Sequence, residues 1–380
     1  MTLAARIGKA VAATLTTTVV AGALLAGTAG AATAAPKVCH TNTVHVTKVV
    51  KVHGHTVRRP ATKKVRVCAA QHHSTPAATS PGSAVPTNAH WASGAWPGGS
   101  IDATAAGAFA SYRGRALDVA TVFQVRDSWD TIANSTWAED AYKGFPGKLV
   151  IGLPLLPEND QDGSAGTLAD VAAGAHDADF ASFARNLLAE GRGDSVIRVG
   201  WEFDGDWMKW AATDATTFKA AFRRVVGVIR GIAPNVKIDW NGDLGGSHNG
   251  NDDFTQLYPG DDVVDYVGVD AYDRQWFPVT DAASWNRYLN MSYGLTAWKK
   301  FAIAHGKLLS LPEWGLYGTE TGDSAFYIHK MHDFFATNAN VLAYESYFNE
   351  SQSYIQSSIS GPVQNPQASA TYRALWSAEG

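Results

Sequence analysis

Eight strand-like runs alternate with helical patterns over about 290 residues, charge reverses near residue 101, and two cysteines bracket a valine-alternating segment. Together these predict an α/β chain: a (β/α)8 TIM barrel preceded by a small disulfide-closed β-rich N-terminal unit. The charge reversal is sharp. Residues 1–101 carry ten Lys or Arg and no Asp or Glu, whereas thirty-five acids face twenty-one basic residues beyond Ile101. Two differently built regions follow from that contrast. The larger one is acidic and aromatic, which suits a sugar ligand and speaks against a nucleic-acid partner.

Taken in order, residues 1–35 read as a secretory signal peptide. Arg6 and Lys9 precede the apolar run VAATLTTTVVAGALLAG, and small-residue cleavage patterns follow at Ala29-Gly30-Ala31 and Ala32-Thr33-Ala34. The run is too short and Thr-rich for a comfortable membrane span, so a secreted, extracellular protein with no membrane attachment is expected.

Residues 36–71 form the small unit. TVHVTKVVKVHGHTVRRPATKKVRVC alternates Val with Lys, Arg, His or Thr, a period-2 strand signal expected to break at His53-Gly54 and at Pro60. Cys39 and Cys68, the chain's only cysteines, flank it, and in an exported protein they are expected to form one disulfide. Such a unit needs a staple to stand alone. Its basic face is suited to an anionic cell-wall polymer, a solvated charged hairpin being the competing reading. Its histidines show no tight metal-ligand spacing. Residues 72–89, rich in Pro, Ser, Thr and Ala, read as a linker.

The barrel is expected over 90–380. Its strand signals are SGAWPGG, ALDVATVFQ, KLVIGLPLLP, SVIRVGWEF, VKIDWNGD, VVDYVGVDAYD, KLLSLPEWG and VLAYESYFNE. Helical patterns between them include DADFASFARNLLAEGR, DATTFKAAFRRVVGVIRGIA, SWNRYLNMSYGLTAWKKFAIAHG and SAFYIHKMHDFFATN; the first two connections are less clearly helical. A doubly wound open sheet is the rival, but no Gly-rich phosphate loop follows the first strand.

Barrels of this kind do chemistry at the carboxyl ends of their strands. Glu202 ends the fourth strand run and Glu313 the seventh, 111 residues apart and close to three repeats. Strict alternation sets Arg198, Gly200 and Glu202 on one face of the fourth strand. Two carboxyl groups across a sugar-sized gap are what glycosidic cleavage requires: one protonated to assist the leaving oxygen, one ionised to attack the anomeric carbon.

These stretches resemble glycoside hydrolase family 26. The resemblance rests on the fourth strand's Arg-x-x-x-Glu with its Trp-rich continuation, on YPGDDVVDYVGVDAYD, and on the Glu-Trp-Gly of the seventh strand. It covers roughly 89–380. It implies a retaining double displacement with Glu202 as acid/base and Glu313 as nucleophile. It also implies a Tyr272 hydrogen bond to the nucleophile and an arginine, Arg198, below the acid/base. The family's β-mannanases usually carry His before the acid/base, where this chain has Trp201. A β-mannan-type substrate remains favoured, with β-1,3-xylan or mixed-linked β-glucan as alternatives.

The aromatics suggest how a long glycan is held. Trp207 and Trp210 follow Glu202 and are expected above it, offering flat faces to pyranose rings. Trp96, Trp240, Trp276, Trp314 and Tyr347 lie at or beyond other strand ends and would extend the cleft, which favours endo action. An indole over Glu202 is also expected to raise its pKa by desolvation. Asn241, with Asp239 and Asp243, is a candidate for sugar hydroxyls; Asp204 and Asp206 read as loop acids. No nucleophile elbow is present and the cysteines lie outside the barrel, so acyl transfer has no support. The reaction requires no cofactor, no metal spacing recurs, and a monomer suffices. The rival readings are a non-catalytic glycan-binding barrel and a polysaccharide lyase using Tyr272 as base.

Overall fold

The computed structural model describes residues 37–52, 55–70, 91–98, 101–158, 164–246, 249–250, 253–274, 278–318 and 321–379. The chain divides into two units, Met1–Ser80 and Pro81–Gly380. The expected signal peptide and linker lie outside the described residues.

In the first unit, β1 (Lys37–Val52) and β2 (His55–Ala70) pair antiparallel over their whole length. The register sets Cys39 opposite Cys68; their side chains lie outside the described part of the unit. The break expected at Pro60 does not occur, for Pro60 pairs with Thr47 inside β2. In a two-stranded ribbon both strands are edges, where alternate N–H groups have no ladder partner and proline is tolerated.

The second unit contains β3 (Ala92–Trp96), β4 (Val119–Phe123), β5 (Lys148–Leu153), β6 (Val196–Val199), β7 (Lys237–Asp243), β8 (Tyr266–Asp273), β9 (Leu308–Leu316) and β10 (Leu342–Phe348). These eight strands are parallel and close into a barrel in chain order, β10 pairing back to β3. Helices occupy the connections, as the alternating signals predict.

The helix Ala215–Ile232 illustrates why. Asp214 caps it by accepting from the Thr217 N–H at 2.8 Å. Phe218, Ala221, Phe222, Val225, Val226 and Ile229 then recur every three or four residues and are buried. SWNRYLNMSYGLTAWKKFAIAHG, read as one helix, is two: Ala282–Asn290 and Leu295–Ala304. The chain turns between them, with Tyr293 left-handed at φ 57°. A Cβ on Gly294 would meet the Tyr288 carbonyl oxygen at 2.6 Å, so glycine permits that turn.

The barrel has two interiors of different chemistry. Large apolar groups such as Trp240, Trp298, Trp314 and Trp376 are buried in the hydrophobic core. Thr121, Arg198, Asp239, Asn241, Asp270 and Ser310 are fully buried and bonded to one another or to neighbouring strands. No helix among the described residues is long and apolar enough to cross a membrane.

Candidate active site

The fourth barrel strand, β6, ends sooner than its sequence suggests. Val199 is its last residue and Gly200 turns left-handed at φ 55°, where a Cβ would meet Leu155 Cδ1 at 2.7 Å. Glu202 is itself left-handed at φ 49° and its N–H donates to the Asn241 carbonyl at 2.8 Å. Glu202 therefore reaches the cavity through a turn rather than by the expected strand alternation. A non-glycine residue in that conformation is strained, and such strain gathers at functional sites.

Glu313 is aimed by a different irregularity. On β9, Ser310 points into the barrel and donates to Asp239 Oδ2 at 2.7 Å. Strict alternation would then send Glu313 outward. The β8–β9 pairing gains one residue on β9 between Ser310 and Trp314, around Pro312, which cannot donate to the ladder. That bulge turns Glu313 inward and Trp314 outward, onto Trp376 and Phe335.

The two carboxyls are held differently. Glu313 accepts from Arg198 Nη2 at 2.7 Å and from the Tyr272 hydroxyl at 2.8 Å, one donor on each oxygen. Arg198, fully buried, also donates to Asp270 Oδ2 at 2.6 Å and to Asn241 Oδ1 at 2.8 Å. Glu202 accepts from the Trp207 indole N–H at 2.7 Å. Burial, then the charges of Glu313 and Asp243, push the Glu202 carboxyl up to about 8, against the Trp207 hydrogen bond and Arg274. The hydrogen bond from Trp207 thus acts opposite to the desolvation expected of an indole there. Burial and Glu313 raise the Tyr272 phenol well above its ordinary range, which is the wrong direction for the base of a lyase.

Both carboxyls open onto a cavity of about 880 Å³. Trp96, Trp201, Trp207 and Tyr272 line it, as does Arg274. Trp207 is 45% exposed, and Trp137 and Tyr354, which also line the cavity, are exposed too. Arg198 and Asn241 do not line the cavity; they hold the carboxyls from beneath.

Four aromatics expected in the cleft are absent from its wall. Trp210 is fully buried, packed on Trp201 with its N–H on the Trp201 carbonyl. Trp240 alternates with Asp239 and Asn241 on β7 and so faces outward, stacked on Phe203. Trp314 is turned out by the bulge, and Tyr347 is buried with its hydroxyl on the Ser357 carbonyl. Trp276 lies outside the described residues. Asp239 is fully buried and accepts from Ser310 and Tyr344, and Asp243 pairs with Arg274, so neither lines the cavity. Asp204 is buried and accepts from the Asp243 N–H, while Asp206 is exposed.

Sequence reasoning missed Asp270, which had a signal two residues before Tyr272 on the same strand face; Arg274, one step past β8, reads in the sequence only as a basic residue near the strand ends. One oxygen each from Glu202, Asp270 and Glu313 lie within 4.8 Å of one another. Three clustered acids can attract a cation, and here the Arg198 guanidinium already bonds two of them.

Residues 178–312 match the model of Glycosyl hydrolase family 26. The match includes Arg198, Glu202, Asp270 and Tyr272 and stops one residue short of Glu313. Among curated proteins, the chain is 30% identical over 190 residues to Endoglucanase H of Acetivibrio thermocellus, covering 47% of this chain and 19% of that protein. It is 28% identical over 151 residues to a mannan endo-1,4-beta-mannosidase of Bifidobacterium adolescentis, covering 39% of this chain and 15% of that one. The matches thus span less than a fifth of the length of these relatives. Among solved structures, the catalytic domain of the Bacillus sp. JAMB-750 GH26 endo-beta-1,4-mannanase superposes with a TM-score of 0.51 at 17% identity, over 71% of this chain and 78% of that one. That likeness bears on the fold.

Proposed function

We propose that this chain, whose barrel matches glycosyl hydrolase family 26, is a retaining endo-β-glycosidase that cleaves a β-linked polysaccharide by double displacement. Glu202, protonated, gives its proton to the glycosidic oxygen as that oxygen leaves the anomeric carbon. Glu313 attacks the same carbon and forms a glycosyl ester. Glu202, now a carboxylate, takes a proton from water, whose oxygen displaces Glu313 and restores both groups.

The observation that carries this reading is the short gap between the two carboxyls, whose nearest oxygens fall within 4.8 Å. Retaining enzymes hold them about 5–5.5 Å apart, whereas inverting ones leave about 6.5–9.5 Å for a water. The raised Glu202 carboxyl supports its role as acid. Exposed aromatics along the cavity wall support endo action on a long chain. A β-mannan-type substrate is favoured; Trp201, standing where the family's mannanases usually have His, weakens that choice and keeps β-1,3-xylan and mixed-linked β-glucan as alternatives. A polysaccharide panel comparing wild type with Glu313→Ala tests this, with NMR of the first-formed product. Oligosaccharides of β configuration released by wild type alone are expected. An α product, or equal release by both proteins, would overturn the mechanism.

For the N-terminal region the proposal is a secreted, monomeric protein whose small unit is closed by a Cys39–Cys68 disulfide. The cross-strand register of the two cysteines supports the bridge. Eight Lys or Arg and no acid in 37–70 support contact with an anionic cell-wall polymer. By register, Lys37, Lys51, Arg58, Lys64 and Arg66 share the cysteines' face of the ribbon. Salt-sensitive retention of the full chain on such a polymer, lost when these five are changed to Ser, is the expected result.

A further inference from the structure

Three strand ends converge on one guanidinium. Arg274, just past β8, donates from Nη2 to Asp243 Oδ1 at 2.9 Å, and Asp243 closes β7 almost wholly buried. Its Cζ lies over the rings of Tyr272 and Tyr317, each 5.9 Å from the centroid, and over Trp207 at 6.0 Å. Trp207 in turn holds Glu202 through its indole N–H. Arg274 is thereby joined to Glu202 by two routes, one through the charge of Asp243 and one through the indole.

The charges around Glu202 explain why that matters. Glu313 faces it from β9, Asp270 and Tyr272 from β8, Asp243 from β7, and Asp204 from its own loop. Arg198 on β6 is committed by hydrogen bonds to Asp270 and Glu313. Arg274 is a further cation there, and it is paired with the acid at the end of β7. Removing it would take away the cation bonded to Asp243, a buried acid that acts on Glu202. The second half of a double displacement needs Glu202 ionised in that same place.

We propose that Arg274 is a positioning residue of the acid/base: it neutralises Asp243 and braces Trp207, so that Glu202 can release its proton and recover it within one turnover. This rests on the reading of Glu202 given above, and its test needs no substrate. Protein labelled with ¹³C at the glutamate side-chain carboxyl is titrated by NMR, the Glu202 resonance being the one lost in Glu202→Gln. Arg274→Met is expected to move the Glu202 midpoint up by about one pH unit. Arg274→Lys, which keeps the charge, should retain most of the wild-type value. Asp243→Asn alone should move the midpoint down, and Asp243→Asn with Arg274→Met should return it towards wild type.

An unmoved midpoint in folded Arg274→Met would overturn the proposal. So would a double variant that titrates like Arg274→Met alone. Should Arg274→Met fail to fold, Asp243→Asn decides, since an unmoved midpoint there removes the electrostatic route. A wild type inactive on every polysaccharide would sink the glycosidase reading and leave this titration standing.

Discussion

Trp207 donates its indole N–H to Glu202 Oε2 at 2.7 Å while remaining 45% exposed and lining the cavity. On the proposed function, that one side chain serves both as a flat face for a sugar and as a hydrogen-bond donor to the acid/base. Trp207→Phe separates the two roles, keeping a ring and removing the donor. A hydrogen bond to a charged group contributes about 1.5–3 kcal/mol. A loss of about ten- to a hundredfold in kcat/KM is expected, with the alkaline limb of the pH profile displaced upward. Steady-state kinetics across pH checks both; a rise in KM alone, with kcat and the alkaline limb unchanged, would mean the indole serves only as a platform.

The wild-type profile itself has a predicted form. In the proposed mechanism Glu202 must carry its proton to open the glycosidic bond, and burial and neighbouring acids raise that carboxyl to about 8, so the proton leaves as pH rises through that value. The rate should therefore fall above that value. A limb near the ordinary carboxyl range, about 4 to 5, would assign the acid to another residue.

The same group makes stability depend on pH. Glu202 binds its proton more tightly folded than unfolded, so its contribution is fully present below the unfolded value of 4.5 and is lost as pH rises through about 8. Glu202→Gln has no charge to bury. It should melt several degrees above wild type at alkaline pH, and the gap should close under acid conditions. Calorimetry at several pH values reads this directly; a constant gap would assign the difference to packing instead of ionisation.

The barrel was legible because its signals are repeated: eight strand runs, each followed by turn or helix patterns, all specify the same architecture. Glu202 and Glu313 were legible by spacing, yet neither reaches the cavity by the alternation that spacing implies. A left-handed turn aims one and a one-residue bulge the other, and neither has a period that a sequence pattern reports. Tryptophans were the poorest guide. A strand's two faces differ by one residue, and an indole suits an apolar core as well as a sugar. Trp207 and Trp210, three residues apart, have opposite fates.

That contrast is itself testable. Trp210 packs 4.6 Å from Trp201 in the core, with its indole N–H bonded, so Trp210→Ala should cost about 3–5 kcal/mol of stability. Trp207→Ala, which loses a half-exposed ring and one hydrogen bond to Glu202, should cost clearly less, about 1–3 kcal/mol, and reduce activity on polysaccharide. Urea titration beside kinetics separates them; equal destabilisation by both would mean that the loop after Glu202 packs as one unit.

Arg198 gives the sharpest test of the buried network. Its guanidinium is fully enclosed and donates to Glu313, Asp270 and Asn241 at 2.6–2.8 Å. Removing one partner of a buried ion pair costs about 3–5 kcal/mol, because the other charge is left without compensation. Arg198→Met should therefore destabilise the barrel by about that amount and abolish measurable turnover. Lysine cannot reproduce the planar fork that reaches three acceptors, so Arg198→Lys should be only slightly better. Adding Asp270→Asn to Arg198→Met removes one stranded carboxyl. Part of the stability should return while activity does not, because Glu313 still lacks the donor that orients its attacking oxygen. Recovery of both together would mean that Arg198 contributes to folding alone and that Tyr272 suffices to hold the nucleophile.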